Sequence, residues 1–557
     1  WIAKKLPIRI LNIAALSILV IFAGYSSYAL LLIRSSAHPP MNQNAPDNVF
    51  ALSSYLNREQ YGDRPLFYGE TLNSGIVYQV DAHDNASPLA TEGKELYAKK
   101  VKTQPGEKDE YIATGKKKKY VMTPELNMIF PRIYSAEHQT AYADWLGEPG
   151  GRVAGMPVTS TDYVDSEGNT LQTSTRVRPT FSENMQFLLG YQLNHMYWRY
   201  FMWNFAGRQN DIQGNGAVNQ GNWISGIPFI DNPRLGDQSL LPEDQGAGNA
   251  GHNVFYMLPL LLGIIGLGWQ AFTSKRGIEQ FWVVFFLFFM TGIAIVLYLN
   301  QTPTQPRERD YAYAGSFYAF AIWVGMGVAG LWRLGVNILK NKKALTAADK
   351  DAVEEPEQGT KNGRTSLACA IVAAVIGVLV PLQVVSQTWD DHDRSGRYTT
   401  RDFGNNYLES LDENAIIFTN GDNDTFPLWY AQEVEGRRTD VKVVNLSYLT
   451  TDWYVDQIRR PSYDAPGIDM QAKPQDYAYD RLQFAYFMQP DTTPTDARQS
   501  LRELYDPQSR QNQWGVPVMR HPVMYIPVDE QAAIKAGRVS AADSARIQPA
   551  LFLDMTA

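Results

Sequence analysis

Hydrophobic and polar residues are distributed very unevenly along the chain. Five stretches, 8–33, 254–272, 281–299, 315–332 and 367–387, are almost wholly apolar, and Arg9 is the one charged residue within them. An α-helix rises about 1.5 Å per residue and a bilayer core is about 30 Å thick, so each stretch predicts a membrane span. A core helix of a soluble protein would break such a run with a polar face.

The material between the spans is of another kind. Residues 34–180 are polar, rich in Gly, Pro, Asn and Asp, and interrupted by short apolar runs such as 75–80, which predicts small strands joined by long loops. Residues 181–205 mix aromatics with Glu183, His195 and Arg199, the pattern of a helix lying in or just above a membrane interface. Residues 206–253 read as loop, and 341–366 as a flexible linker without apolar periodicity. Beyond 387, an apolar strand at 415–419, a turn at 421–425, a helix at 426–434 and a second strand at 441–446 form one β–α–β unit.

The expected fold class is therefore an α-helical multi-pass membrane protein with large α/β regions outside the cytoplasm. Its divisions are a first span at 1–33, an outer region at 34–253, four spans at 254–387 around a cytoplasmic linker at 333–366, and an outer α/β domain at 388–557.

Orientation follows from the basic residues beside the spans. One side carries Lys4, Lys5, Arg9, Lys275, Arg276, Arg333, Lys340, Lys342, Lys343, Lys350, Lys361 and Arg364. The short loop 300–314 on the other side carries only Arg307 and Arg309. The first side reads as cytoplasmic, so both large polar regions lie outside, which fits a bacterial inner membrane with the bulk of the chain periplasmic.

Composition narrows the picture further. The chain has 557 residues, a net charge of −8 and a single cysteine, Cys369, so no internal disulfide framework exists and nucleic acid is not an expected partner. The mean hydropathy of −0.29 averages two unlike materials. The chain begins at Trp1 inside a basic juxtamembrane segment and stops after the strand-like stretch 550–555, which reads as an internal fragment of a longer protein.

Four constellations could carry chemistry. In 300–313, NQTPTQPRERDYAY, Arg307 and Arg309 sit at the depth of lipid phosphates, whose oxygens an arginine fork matches; the same letters also suit a self-neutralising cluster with Glu308 and Asp310. In 197–213 and the following loop, Trp198, Arg199, Trp203, Arg208, Asn210 and Trp223 combine stacking faces with planar hydrogen-bonding groups suited to a sugar or acceptor, or else form an aromatic membrane belt. In GDNDT at 421–425, Asp422 and Asp424 could share a divalent cation or simply cap a helix. His392, within WDDHD at 389–393, and His38 are ambiguous between ligand or base and solvated turn. No Walker loop, G-x-S-x-G, H-E-x-x-H or paired C-x-x-C motif occurs.

Several blocks resemble one large bacterial membrane family: GYSSYALLLIRSSAHPP (24–40), SYLNREQYGDRPLFYG (54–69), YWRYFMWNFAGRQNDIQG (197–214), GNWISGI (221–227), YLNQTPTQPRERDYAYAGSFYAFAIW (298–323) and GDNDTFPLWYAQEVEG (421–436). The family is of GT-C glycosyltransferase type and is related to the transmembrane protein O-mannosyltransferase of eukaryotes. The resemblance implies transfer of a sugar from a polyprenyl-phosphate donor to Ser or Thr of extracytoplasmic proteins. It also implies a catalytic carboxylate in an early outer loop, expected upstream of Trp1, so no catalytic residue is nominated in this chain. The expected partners are a lipid-linked sugar donor, protein acceptors and the membrane; no cofactor is established beyond the divalent cation considered at Asp422 and Asp424. The competing reading is a non-enzymatic membrane-anchored protein that binds glycans or envelope proteins or assists their assembly.

Overall fold

The computed structural model describes residues 7–339 and 361–555, apart from 63, 85, 100–107, 109, 471, 478–484, 486, 488–490 and 506–517. Most of the expected linker at 333–366 lies outside the described residues. Among the described residues four helices are long and apolar enough to cross a bilayer: Ile8–Ser36, Lys275–Leu299, Asp310–Leu339 and Arg364–His392. The stretch expected as a further span, 254–272, forms the 16-residue helix Leu258–Thr273. That helix is about 24 Å long at 1.5 Å per residue, short of a full bilayer core. It starts late because residues 253–257 form a short strand and a turn, with Tyr256 and Met257 at positive φ.

The chain divides into two compact units. One contains residues 64–89 and 120–396. Here Tyr78–Val80 lies between the antiparallel strand Ala86–Pro88 and the parallel strand Met156–Val164, which pairs in turn with Thr170–Arg178. The hairpin closes because the Asp165 carboxylate accepts the Glu167 and Asn169 backbone N–H groups at 2.9 and 2.8 Å, while Gly168 takes φ +89°.

Helices dominate the rest of this unit. Leu258–Thr273 packs on Ala314–Leu339 through glycines on both helices. A Cβ on Gly266 would lie 1.9 Å from the Trp323 carbonyl oxygen, and one on Gly327 would lie 2.1 Å from the Leu262 carbonyl oxygen. Only glycine permits backbones to approach so closely. Beside this contact the Trp323 indole N–H donates to Gln270 Oε1 at 2.7 Å, satisfying two buried polar groups.

The segment 181–205 is a helix, and much of its aromatic surface is buried within the protein. Tyr197, Tyr200, Phe201, Trp203 and Phe205 are all buried. Phe201 and Phe205 meet the Phe320 ring edge-on at centroid distances of 4.8 and 4.6 Å. The mixture that suggested an interface helix is an aromatic core face threaded with polar groups that find internal partners.

The other unit contains residues 1–63, 90–119 and 397–557. The helix Ile8–Ser36 has no buried residue in its most apolar window. The expected β–α–β unit is present: Ile416–Thr419 pairs in parallel with Lys442–Asn445, connected through the helix Asp422–Glu433. Gly404, in the helix Thr399–Glu409, lets that helix press against the Pro427 carbonyl, where a Cβ would come within 2.4 Å. Leu408, Leu428, Ala431, Val441 and Val443 form the resulting core. Farther on, Val523–Pro527 pairs in parallel with Thr495–Asp496 and antiparallel with Ala550–Asp554.

The glycine contact makes a direct prediction. Gly266→Leu should destabilise the protein by about 3 kcal/mol or more, because an overpacked interface must separate. Gly268→Leu, on the same helix but with nothing within 4 Å of a Cβ, should be tolerated. Unfolding midpoints of the two variants in detergent check this; equal midpoints would refute the close contact.

Candidate functional site

The site grows from the helix at 181–205. A reciprocal cap starts it: Thr180 Oγ1 accepts the Glu183 N–H at 3.2 Å while the Glu183 carboxylate accepts the Thr180 N–H at 2.5 Å. Over Leu188–Trp198 the helix widens into π-type hydrogen bonding for 11 residues, then returns to α geometry at Arg199–Phe205. Such stretches are rare and usually short.

Arg199 leaves the end of the widened stretch and is 4% exposed. Its fork meets Glu308, with Nη2 donating to Oε2 at 2.7 Å and Nη1 to Oε1 at 3.3 Å. The Tyr200 hydroxyl also donates to Glu308, and the Gly214 N–H donates to Oε1 at 3.1 Å. Arg199 further donates to the Gly221 carbonyl at 3.1 Å, an acceptor shared with the Trp203 indole N–H at 3.1 Å. The glycines are required here: a Cβ on Gly214 would lie 2.9 Å from Arg199 Nη1, and Gly221 has φ +55°. Nearby His195 is buried, and burial together with the Arg199 cation holds its pKa down to about 3. The ring is neutral at pH 7, and Nε2, 3.1 Å from the Gly214 carbonyl oxygen, must carry the proton to donate there.

With Glu308 turned inward, its neighbours differ sharply from it. Arg309 gives its backbone N–H to the Tyr200 oxygen at 3.1 Å and its Nη1 to the Tyr311 hydroxyl at 3.0 Å, while its Nε is buried without a partner. The Arg307 guanidinium lies 6.0 Å from the same Tyr311 ring. Among the described residues no ion pair joins Arg307 or Arg309 to a carboxylate, so the self-neutralising arrangement does not form.

The sugar-site candidates separate into two groups. Arg199, Trp203 and Asn210 are used by the fold. Asn210 is fully buried, donates to the Asn219 and Gln245 carbonyls and accepts the Gly221 N–H, which leaves it no face for a sugar. Arg208 and Trp223 are paired across a β-bridge and retain partial exposure. The Arg208 guanidinium lies 4.1 Å over the Trp203 ring, and its Nε is buried without a partner. Arg234, which sequence reasoning passed over, covers Trp223 at 3.7 Å. Trp198 is 43% exposed and stacks on Phe201. Thus Arg199, Trp203 and Arg208 gather around one indole, whereas Trp198 does not join them.

Asp422 and Asp424 are exposed in the first turn of the helix Asp422–Glu433, and Asp422 accepts from the Tyr448 hydroxyl at 3.4 Å. Carboxylates at a helix start favour the dipole without any ion. Among the described residues no group of three or more His, Cys, Asp or Glu is arranged to hold a metal. His392 is exposed at the end of its helix, with Nδ1 at 2.9 Å from the Thr388 carbonyl oxygen.

Comparison with known proteins gives two matches. Residues 400–557 match the family described as TMEM260-associated domain 2. Residues 62–189 match a family of unknown function (DUF8416). No curated protein and no solved structure matches the chain.

The buried pair carries its own test. Glu308→Gln leaves Arg199 buried without a counter-charge, and should cost about 3 kcal/mol or more. Arg199→Leu combined with Glu308→Gln should cost less than the sum of the single changes, because the two groups answer each other. Strict additivity in a double-mutant cycle of unfolding free energies would show that they do not interact.

Proposed function

We propose that the protein is a multi-pass membrane glycosyltransferase, similar to protein O-mannosyltransferases, that moves a sugar from a polyprenyl-phosphate donor to Ser or Thr of extracytoplasmic proteins. Its place is the bacterial inner membrane, with most of the chain in the periplasm. The observation that carries this reading is the inward turn of Glu308, which leaves Arg307 and Arg309 near Tyr311 with no ion pair to a carboxylate among the described residues. Two such guanidiniums suit phosphate oxygens. The apolar helices supply the membrane setting, above all Ile8–Ser36, whose long uncovered surface suits lipid rather than water. The family resemblance and the match of residues 400–557 to TMEM260-associated domain 2 support the same direction.

In this mechanism the acceptor hydroxyl oxygen attacks the anomeric carbon as the bond from that carbon to the lipid phosphate oxygen breaks. The electron pair leaves with the phosphate, and the hydroxyl proton passes to the catalytic carboxylate that the family resemblance implies. Arg307 and Arg309 stabilise the charge that develops on the leaving phosphate. Arg208, stacked on Trp203 with an unpartnered Nε, is the remaining polar group suited to a sugar or acceptor.

The test uses the full-length native protein in nanodiscs, a radiolabelled polyprenyl-phosphate hexose and a periplasmic protein extract. Label should pass to protein, and Arg307→Ala with Arg309→Ala should lower turnover on the order of a hundredfold with acceptor binding nearly unchanged. Transfer that survives both changes discards the phosphate site. Absence of transfer with several donor sugars would instead favour a glycan- or envelope-protein-binding protein.

A further inference from the structure

Lys442 opens the second strand of the β–α–β unit, yet only 7% of it is exposed. Its ammonium donates to the Arg460 carbonyl at 2.7 Å and to Ser462 Oγ at 3.0 Å, both neutral acceptors. An ammonium has three N–H donors, and a buried cation ordinarily needs a counter-charge. No ion pair with a carboxylate supplies one among the described residues. Glu433 is the nearby candidate, but its carboxylate accepts the Tyr463 hydroxyl at 2.5 Å. Burial draws the Lys442 ammonium below the usual lysine range, and no acid opposes that shift.

Lys442 also borders a cavity of about 140 Å³. Arg460, Ser462 and the carboxylate-bearing Glu433 also line it. Trp429, Pro40 and Ile458 supply apolar wall. A cavity of about this size, with polar and apolar groups in its lining, has room for a small ligand only. The space thus combines a buried ammonium that has no ion pair among the described residues with a wall that is apolar in part.

We propose that this cavity binds a small oxyanion, a carboxylate or phosphate carried on a body no larger than a single ring, with Lys442 as its counter-charge. The site lies within the α/β unit and does not depend on the transferase reading. A carboxylate would accept a hydrogen bond from the third ammonium N–H, completing the set of acceptors that the Arg460 carbonyl and Ser462 Oγ begin.

The bland alternative is that Lys442 only ties down the carbonyl groups beyond the helix Asp452–Ile458, which a cation near a helix C-terminus favours. Amide hydrogen exchange of the full chain in nanodiscs separates the two. The probes are sodium phosphate, sodium acetate and sodium benzoate, each against sodium chloride of equal ionic strength. At ten times the dissociation constant, at least one oxyanion should slow exchange in segments 441–446 and 457–463 by about tenfold, saturably. Lys442→Gln should abolish that response, and Lys442→Arg should retain it in part. No oxyanion-specific slowing in the unaltered protein overturns the proposal, whatever the variants do. Equal slowing in the unaltered protein and in Lys442→Gln overturns it as well. Response to benzoate and acetate but not phosphate would identify a carboxylate ligand, and the reverse a phosphate.

Discussion

One carboxylate organises the unit that contains residues 64–89 and 120–396. Glu308 accepts hydrogen bonds from Arg199, Tyr200 and Gly214, which binds three separate parts of the chain at a single point. Removing charges from water is expensive, so this arrangement is favourable only because each lone pair finds a donor and the guanidinium fits bidentately. Its geometry then fixes the neighbours. A residue turned inward at 308 between arginines at 307 and 309 leaves those arginines to other surroundings, where Tyr311 accepts from Arg309 and its ring lies 6.0 Å from the Arg307 guanidinium.

The start of the same loop is fastened by hydrogen bonds to neutral acceptors. Gln192 reaches the Asn300 side chain and the Gln301 carbonyl, each at 3.0 Å, while Asn300 donates to the Pro65 and Pro131 carbonyls. Tyr191 donates to the Thr302 carbonyl and Tyr313 to Gln301 Oε1. Arg132, fully buried and with no ion pair to a carboxylate among the described residues, gives Nη1 to the Leu297 carbonyl at 3.0 Å, and Arg64 gives Nη1 to the Leu299 carbonyl at 2.6 Å. Those carbonyls belong to the last turn of the helix Ile293–Leu299, which has no intrahelical donors left for them. A cation there is held by the helix dipole rather than by an acid. The loop between the two long apolar helices is consequently a built part of the fold.

Much of the architecture could be read from hydrophobic pattern, and what could not be read has identifiable causes. The long apolar runs gave four helices able to cross a bilayer, and the alternation around GDNDT gave the β–α–β unit, because both depend on local periodicity. The helix at 181–205 was recognised, but its burial within the protein was not. Its polar residues suggested solvent, whereas Gln192 Nε2, His195 and Arg199 reach partners 19 to 109 residues away, a relation no local pattern contains. The burial of Trp203 and Asn210 was hidden for the same reason. The π-widened stretch left no mark in composition. Gly214 and Gly221 did offer a signal: glycines in a loop following an arginine-bearing helix point to close backbone approach. Arg132 and Lys442 offered none, since a single basic residue in a polar segment looks alike whether exposed or buried.

The order of these partners along the chain has its own meaning. Arg64, Arg132, Tyr191, Gln192, Arg199 and Tyr200 all precede the segment they grip, which begins at Leu297. A ribosome delivers the chain from its amino end, so the donors are already synthesised when the acceptors emerge. The helix ending at Leu299 therefore arrives last at a cradle whose parts were made before it. A truncation that removes the first donors leaves its carbonyls to find water at the very point where the helix stops being apolar.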